Sequence, residues 1–415
     1  VAVGSIVGAD QAQAQFGQAV GFNEMMRPKF MRRDLVLFEE YLSLDEAQKD
    51  VLKALYDDYE SSFKAGQDRF KDRMAEMKSQ IDNVQDKKRI LSVILTPFSQ
   101  LATENEAMAK QFMDDAQLIL TPDQMNEWPK FERAMRREKE INDSELAGEN
   151  IDLCVHIRML NLDAESKRMV EPVLDQYEID LDQALINRSK AVLDTRPDLI
   201  KAFSQDDWDL YERSREKHIS YHVQVRDVND RYIDLLTNAL PASYKDQFRE
   251  GALEAAYPRV YRETPVQRLF NAAEKLDGIS DDMRSQLSAL DQLYRGELRT
   301  KNETLLAKLR DTDPKDLKDR IIYEADRFKN ETTQRPGDSL RDAFLERDDL
   351  GRRYVEQVHK LLTPEQFASL PGANRLLKDP SADDSSGQQK YDSNKVESKD
   401  PNSTPRSNKT PDAAK

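Results

Sequence analysis

Three times along this chain an apolar residue followed by a small acidic or hydroxyl residue opens a helical stretch, at Leu44-Asp45, Leu162-Asp163 and Ile279-Ser280. A tyrosine stands fifteen residues after each apolar residue, at Tyr59, Tyr177 and Tyr294. Later in each stretch comes a second helix start: Leu120-Thr121-Pro122-Asp123-Gln124, the degenerate Leu240-Pro241-Ala242-Ser243-Tyr244, and Leu362-Thr363-Pro364-Glu365-Gln366. The openings lie 118 and 117 residues apart and the closings 120 and 122. A period that long makes each repeat a small helical domain rather than one turn of a solenoid.

Periodicity and composition both exclude strands. Apolar residues recur at three- and four-residue steps, as in Leu52, Leu55, Tyr59 and Phe63, while β-branched alternation is nearly absent. With 34% charged and 38% hydrophobic residues, the chain suits long helices with narrow apolar seams better than one large core. The expected fold is therefore all-α: three tandem helical hairpins in an elongated, curved body, followed by a disordered tail. Motif spacing sets the segments at 15–138 (a lead-in carrying Phe22, Met25, Met26 and Phe30, then the first unit), 139–260 (linker and second unit) and 261–372 (third unit). From 373 to 415 the chain is Ser, Asp, Asn, Pro and Lys with few apolar residues, too few to offset the entropy of ordering.

Helix-start grammar predicts more detail. Thr96-Pro97 reads as the start of the first unit's second helix, and Pro172 as a kink. Gly337 reads as a break between the helices of the third unit, and Trp128-Pro129, Tyr257-Pro258 and Leu370-Pro371 read as hinges where one unit docks on the next. In Thr121-Pro122-Asp123-Gln124 the hydroxyl caps the helix, proline suits its first position and the glutamine reaches back to the cap. Thr363 to Gln366 reads the same way.

The net charge of −15 lies in the helical body and argues against nucleic acid as a partner. No stretch approaches the roughly 20 apolar residues a membrane span needs. Val1 to Ala9 is apolar and small, and Ala12-Gln13-Ala14 offers a small-x-small pattern, so residues 1–14 read as the remnant of a secretory signal and the protein as periplasmic or secreted. Four histidines, one cysteine and no glycine-rich phosphate loop or nucleophile elbow leave only carboxylates, which on such helices read as solvated faces, so neither an enzyme nor a cofactor is expected. His218 and His222, one helical turn apart, could supply two ligands of a metal site, but the blander reading is a pair on a helix seam. Cys154 reads as a small buried hydrophobe, and the recurrent tyrosines as seam residues with a polar tip.

The paired motifs resemble those of the Spy/CpxP family of periplasmic helical proteins, whose signature is two Leu-Thr-x-x-Gln motifs flanking a helical hairpin. Leu44-Asp45-Glu46-Ala47-Gln48 looks like the first motif with Asp in place of Thr, and Leu120 to Gln124 and Leu362 to Gln366 match the second in full. Leu162-Asp163 and Ile279-Ser280 keep only the start of the motif. The resemblance covers about residues 35 to 372 as three tandem copies. It implies an ATP-independent extracytoplasmic chaperone or stress adaptor, monomeric or homodimeric, holding partly unfolded proteins on a helical cradle. The departure is charge, since family cradles are basic and this body is acidic. A scaffold that only spaces other components is the competing expectation, and a metal-responsive binding protein a third.

Overall fold

The computed structural model describes residues 27–81, 87–205, 207–328 and 336–378, and every regular element among them is helical. After a 3-10 turn at Arg32–Asp34 come α1 (Leu35–Leu42), α2 (Glu46–Ile81), α3 (Lys87–Leu118) and α4 (Pro122–Glu140). Then follow α5 (Leu153–Met159), α6 (Ala164–Gln205), α7 (Trp208–Ala239), α8 (Ala242–Ala256) and α9 (Pro258–Tyr261). The chain continues through α10 (Pro265–Ala273), α11 (Asp281–Phe328), α12 (Arg341–Leu361), α13 (Pro364–Ala368) and α14 (Ala373–Leu376). No described helix is long and apolar enough to cross a membrane.

Contacts group the chain into two compact units, one formed by residues up to 262 together with 300–341, the other by 263–299 together with 342 onward. Motif spacing and contacts thus draw different boundaries, because α11 contributes its first part to one unit and the rest to the other.

Within the larger unit, α2 and α3 run antiparallel: Arg69 and Arg73 reach Glu104 at 3.2 and 2.9 Å, while Gln48 meets Ile119. Their seam is aromatic. Leu52, Tyr56, Tyr59 and Phe63 of α2 are buried at helical spacing, with Phe112 of α3, Trp128 and Phe131 of α4, and Phe30 and Phe38 from the lead-in. Two apolar residues of these helices stand off the stripe. Val51 stands about 100° around the helix from Leu52 and is 45% exposed, and Leu118, the last residue of α3, is 83% exposed. The helices α6 and α7 also pair antiparallel, Tyr177 meeting Asn229 while Thr195 meets His218. A third cluster joins Leu199 and Ala202 of α6, Tyr211 and Ile219 of α7, and Leu317 and Ile321 of α11.

Several expected breaks are not breaks. Pro97 lies inside α3, ten residues after its start, and Pro129 lies inside α4, well past the Pro122 that begins the helix. In each case apolar periodicity continues through the proline, and the packing gained outweighs one lost backbone bond. Pro172 lies inside α6 on its exposed side. Tyr257 lies between α8 and α9, with φ −131° and ψ 60°, and Gly337 lies between α11 and α12.

In the smaller unit, Leu269 and Phe270 of α10, Leu287 and Tyr294 of α11, Val355 and Val358 of α12 and Phe367 of α13 share one core. Ala373 is buried in it as well, so order runs past the predicted boundary at 372, through α14. Residues 379–415, the predicted signal remnant 1–14, and Phe22, Met25 and Met26 lie outside the described residues.

Candidate functional site

Two capping boxes meet at one end of the first hairpin. Ser43 ends α1 in the left-handed region, φ 49° and ψ 50°, which turns the chain so that Asp45 can start α2. The Gln48 amide N–H donates to Asp45 Oδ1 at 2.8 Å, and the Asp45 N–H donates to Gln48 Oε1 at 3.0 Å. At α4 the Gln124 N–H donates to Thr121 Oγ1 at 3.3 Å, and the Thr121 N–H donates to Gln124 Oε1 at 2.9 Å. Each box satisfies backbone donors that a helix start leaves without intrahelical partners.

The two glutamines then pair with each other. Gln48 Nε2 donates to Gln124 Oε1 at 2.8 Å, and Gln124 Nε2 donates to Gln48 Oε1 at 2.9 Å. The second proton of Gln48 goes to the Ile119 carbonyl at 2.7 Å, and that of Gln124 to the Ser43 carbonyl at 3.4 Å. Both carboxamides thereby donate both protons and accept at their oxygens, an arrangement a Glu at either position could not reproduce because it carries acceptors only. Gln48→Ala and Gln124→Ala should each destabilise by about 1 to 2 kcal/mol. In a double-mutant cycle read by urea denaturation, a coupling of about 1 kcal/mol is expected between them, and additive losses would contradict the pairing.

Elsewhere the motif residues cap without pairing. Asp163 Oδ1 accepts from the Glu165 and Ser166 N–H groups at 3.0 and 2.9 Å, and Ser280 Oγ accepts from the Met283 N–H at 3.2 Å. Three residues past these caps stand Ser166 and Met283, which carry no carboxamide. Pro241 leads α8 with no side-chain cap, whereas Thr363 and Gln366 form a full box at α13. The leucines Leu44, Leu162 and Leu362 are buried beside their caps, Leu120 is half-buried, and Ile279 packs at the edge of the second core. A further box, Thr264-Pro265-Val266-Gln267, opens α10. It lies outside the repeat spacing, but its Thr-Pro-x-Gln pattern was legible.

The recurrent tyrosines share a contact that periodicity did not foretell. Tyr59 Oη accepts from the Phe30 N–H at 3.3 Å, Tyr177 Oη accepts from the Leu153 N–H at 3.2 Å, and Tyr294 Oη bonds Thr264 Oγ1 at 3.0 Å. The partner lies 29, 24 and 30 residues upstream, so each phenol ties a lead-in segment to its long helix. Burial pushes all three hydroxyls above the ordinary phenol range.

The histidines sit in a buried polar network between α6, α7 and the 142–150 loop. Glu149 is fully buried; Oε2 accepts from His222 Nδ1 at 2.7 Å and from Arg188 Nη1 at 3.0 Å, and Oε1 accepts from the Leu146 and Glu145 N–H groups at 2.7 and 3.1 Å. His218 Nε2 meets the Thr195 hydroxyl, which itself donates to the Ala191 carbonyl at 2.7 Å, so that ring nitrogen carries the proton. Arg215 Nη1 then donates to His218 Nδ1 at 3.1 Å, while Nη2 grips both oxygens of Glu145 at 2.9 and 2.7 Å. A guanidinium on one ring nitrogen of His218 and a carboxylate on one of His222 commit both rings to structural bonds, and the described residues contain no group of three or more metal-ligating side chains. Cys154 is buried 3.5 Å from Glu178, and burial pushes its thiol up.

Burial, and then Arg215, hold His218 down to about 4 against an ordinary 6.5. Folding therefore excludes a proton that the unfolded chain binds below 6.5. The resulting stability is complete above pH 6.5 and is lost as pH falls toward 4, a loss of about 3 kcal/mol. Wild type should lose that much more than His218→Gln between pH 7 and pH 4, measured by urea denaturation. Parallel pH profiles would overturn the assignment.

Fold and motifs together define an all-α protein whose first hairpin is closed by a pair of capping boxes. Comparison with known protein families, with curated proteins and with solved structures found no match.

Proposed function

We propose that this chain is an extracytoplasmic binding protein of the chaperone or stress-adaptor type, working without ATP and holding partly unfolded proteins on helical surfaces. In this reading its three motif-bearing segments are degenerate tandem copies of the Spy/CpxP plan. The observation that carries it is the set of large apolar side chains left in solvent: Leu118 at 83%, Met159 at 67%, Leu293 at 61% and Met169 at 52% exposure. A surface that takes up unfolded chains needs apolar side chains set among charges. Methionine suits the role, since its flexible thioether adapts to varied partners.

The full-length protein, mixed without ATP with a basic model protein that aggregates on unfolding, should suppress the aggregation. Suppression should weaken as salt rises above about 0.15 M, where the Debye length is about 8 Å. No suppression of any client at several-fold molar excess, with no binding of a hydrophobic dye, would hand the case to the scaffold.

A further inference from the structure

We infer that the paired-glutamine end of the first hairpin is a docking surface for a basic, amphipathic segment of another protein. The inference rests on the binding-protein reading above and gives it a location and a partner chemistry. Three exposed apolar residues come from three different elements here: Val51 of α2, Leu118 of α3 and Met125 of α4, at 45%, 83% and 38% exposure. Each lies within three residues of a member of the glutamine pairing. Val51 is one helical turn past Gln48, Leu118 precedes Ile119, whose carbonyl accepts from Gln48 at 2.7 Å, and Met125 follows Gln124. The pairing thus gathers at one end of the hairpin apolar groups that no single helix could present together.

The surrounding charge selects the partner. Between residues 44 and 53 and between 118 and 127 stand five carboxylates, Asp45, Glu46, Asp50, Asp123 and Glu127, all on exposed residues. Against them stand two lysines, and Lys49 is already held by Glu46 at 2.8 Å and lies 3.9 Å from Glu39. A second copy of this chain would bring the same carboxylates against themselves, and a nucleic acid or an anionic lipid surface would be repelled as well. A segment that alternates Lys or Arg with apolar residues satisfies both features, its apolar side chains covering Leu118 and Val51 while its cations meet the rim.

The test is fluorescence anisotropy of the full chain with a labelled amphipathic Lys/Leu helix peptide, alongside a Glu/Leu peptide of the same apolar pattern. The basic peptide should bind and the acidic one should not. Leu118→Ser combined with Val51→Ser should weaken binding about tenfold or more, the loss of apolar anchors. Asp123→Asn with Glu127→Gln should weaken it and flatten its salt dependence. Leu235→Ser, at an exposed position of α7, should leave it unchanged. These side chains are solvent-exposed, so the variants should keep the wild-type melting temperature. Equal binding of both peptides, no binding of the basic one, or tight binding that survives Leu118→Ser/Val51→Ser would overturn the location. Aggregation suppression that persists in that double variant would leave the chaperone reading standing while removing this surface from it.

Discussion

Gly148→Ala is expected to cost about 3 to 5 kcal/mol, more than the same change at any other described glycine. Gly148 holds φ at +91°, in the left-handed region. A Cβ there would lie 2.4 Å from Tyr257 Oη, 2.7 Å from its Cζ and 2.8 Å from Arg226 Cγ. Neither the loop nor the ring is free to retreat. The Gly148 N–H donates to the Ala256 carbonyl at 2.9 Å, and its own carbonyl accepts from Asn229 Nδ2 at 2.8 Å. Tyr257 is buried, donates to Asp230 Oδ1 at 2.6 Å and stacks under the Arg310 guanidinium at 5.3 Å. Gly278 supplies the control: its φ is +76°, but a Cβ there would meet nothing within 4 Å. Gly278→Ala should therefore cost only the conformational term of about 1 to 2 kcal/mol. Urea denaturation of both variants separates packing from backbone strain. Equal losses would mean that Tyr257 gives way at no cost.

Replacing Glu149 should be comparably severe, about 3 to 5 kcal/mol for Glu149→Ala, because it removes one partner of a buried charge pair and leaves the other. Arg188, 3% exposed, would keep only the Glu140 carbonyl, and the Glu145 and Leu146 N–H groups would lose their acceptor. Glu149→Gln should not rescue it. Four donors converge on the two carboxylate oxygens, so the amide nitrogen of a glutamine must face a pair of them whichever way it turns. Lys110→Ala is the contrast: its pair with Asp114 is 73% and 51% exposed and should contribute less than about 0.5 kcal/mol. Thermal melts of these variants would decide the matter, and a Glu149→Gln protein as stable as wild type would refute the four-donor account.

What residue order alone determined here is the local chemistry. Three- and four-residue apolar steps specify helices because they put one stripe on one face. Asp45, Thr121, Asp163, Ser280 and Thr363 cap helices because a short oxygen-bearing side chain reaches the first free N–H groups whatever lies beyond. The same local grammar misplaced breaks at Pro97 and Pro129, since it does not weigh one lost backbone bond against the packing of a whole helix. Tertiary structure decided everything that needs a partner distant in sequence: that Gln48 meets Gln124, 76 residues on, that three tyrosine hydroxyls hold lead-in segments, and that Glu149 gathers Arg188 and His222. It also decided which apolar residues stay outside, leaving Leu118 and Val51 in water while their neighbours Ala116 and Leu52 are buried. A glutamine, a phenol or a leucine announces by its type what it can bond or bury; which group it meets follows only once the helices have packed and fixed the distances between them.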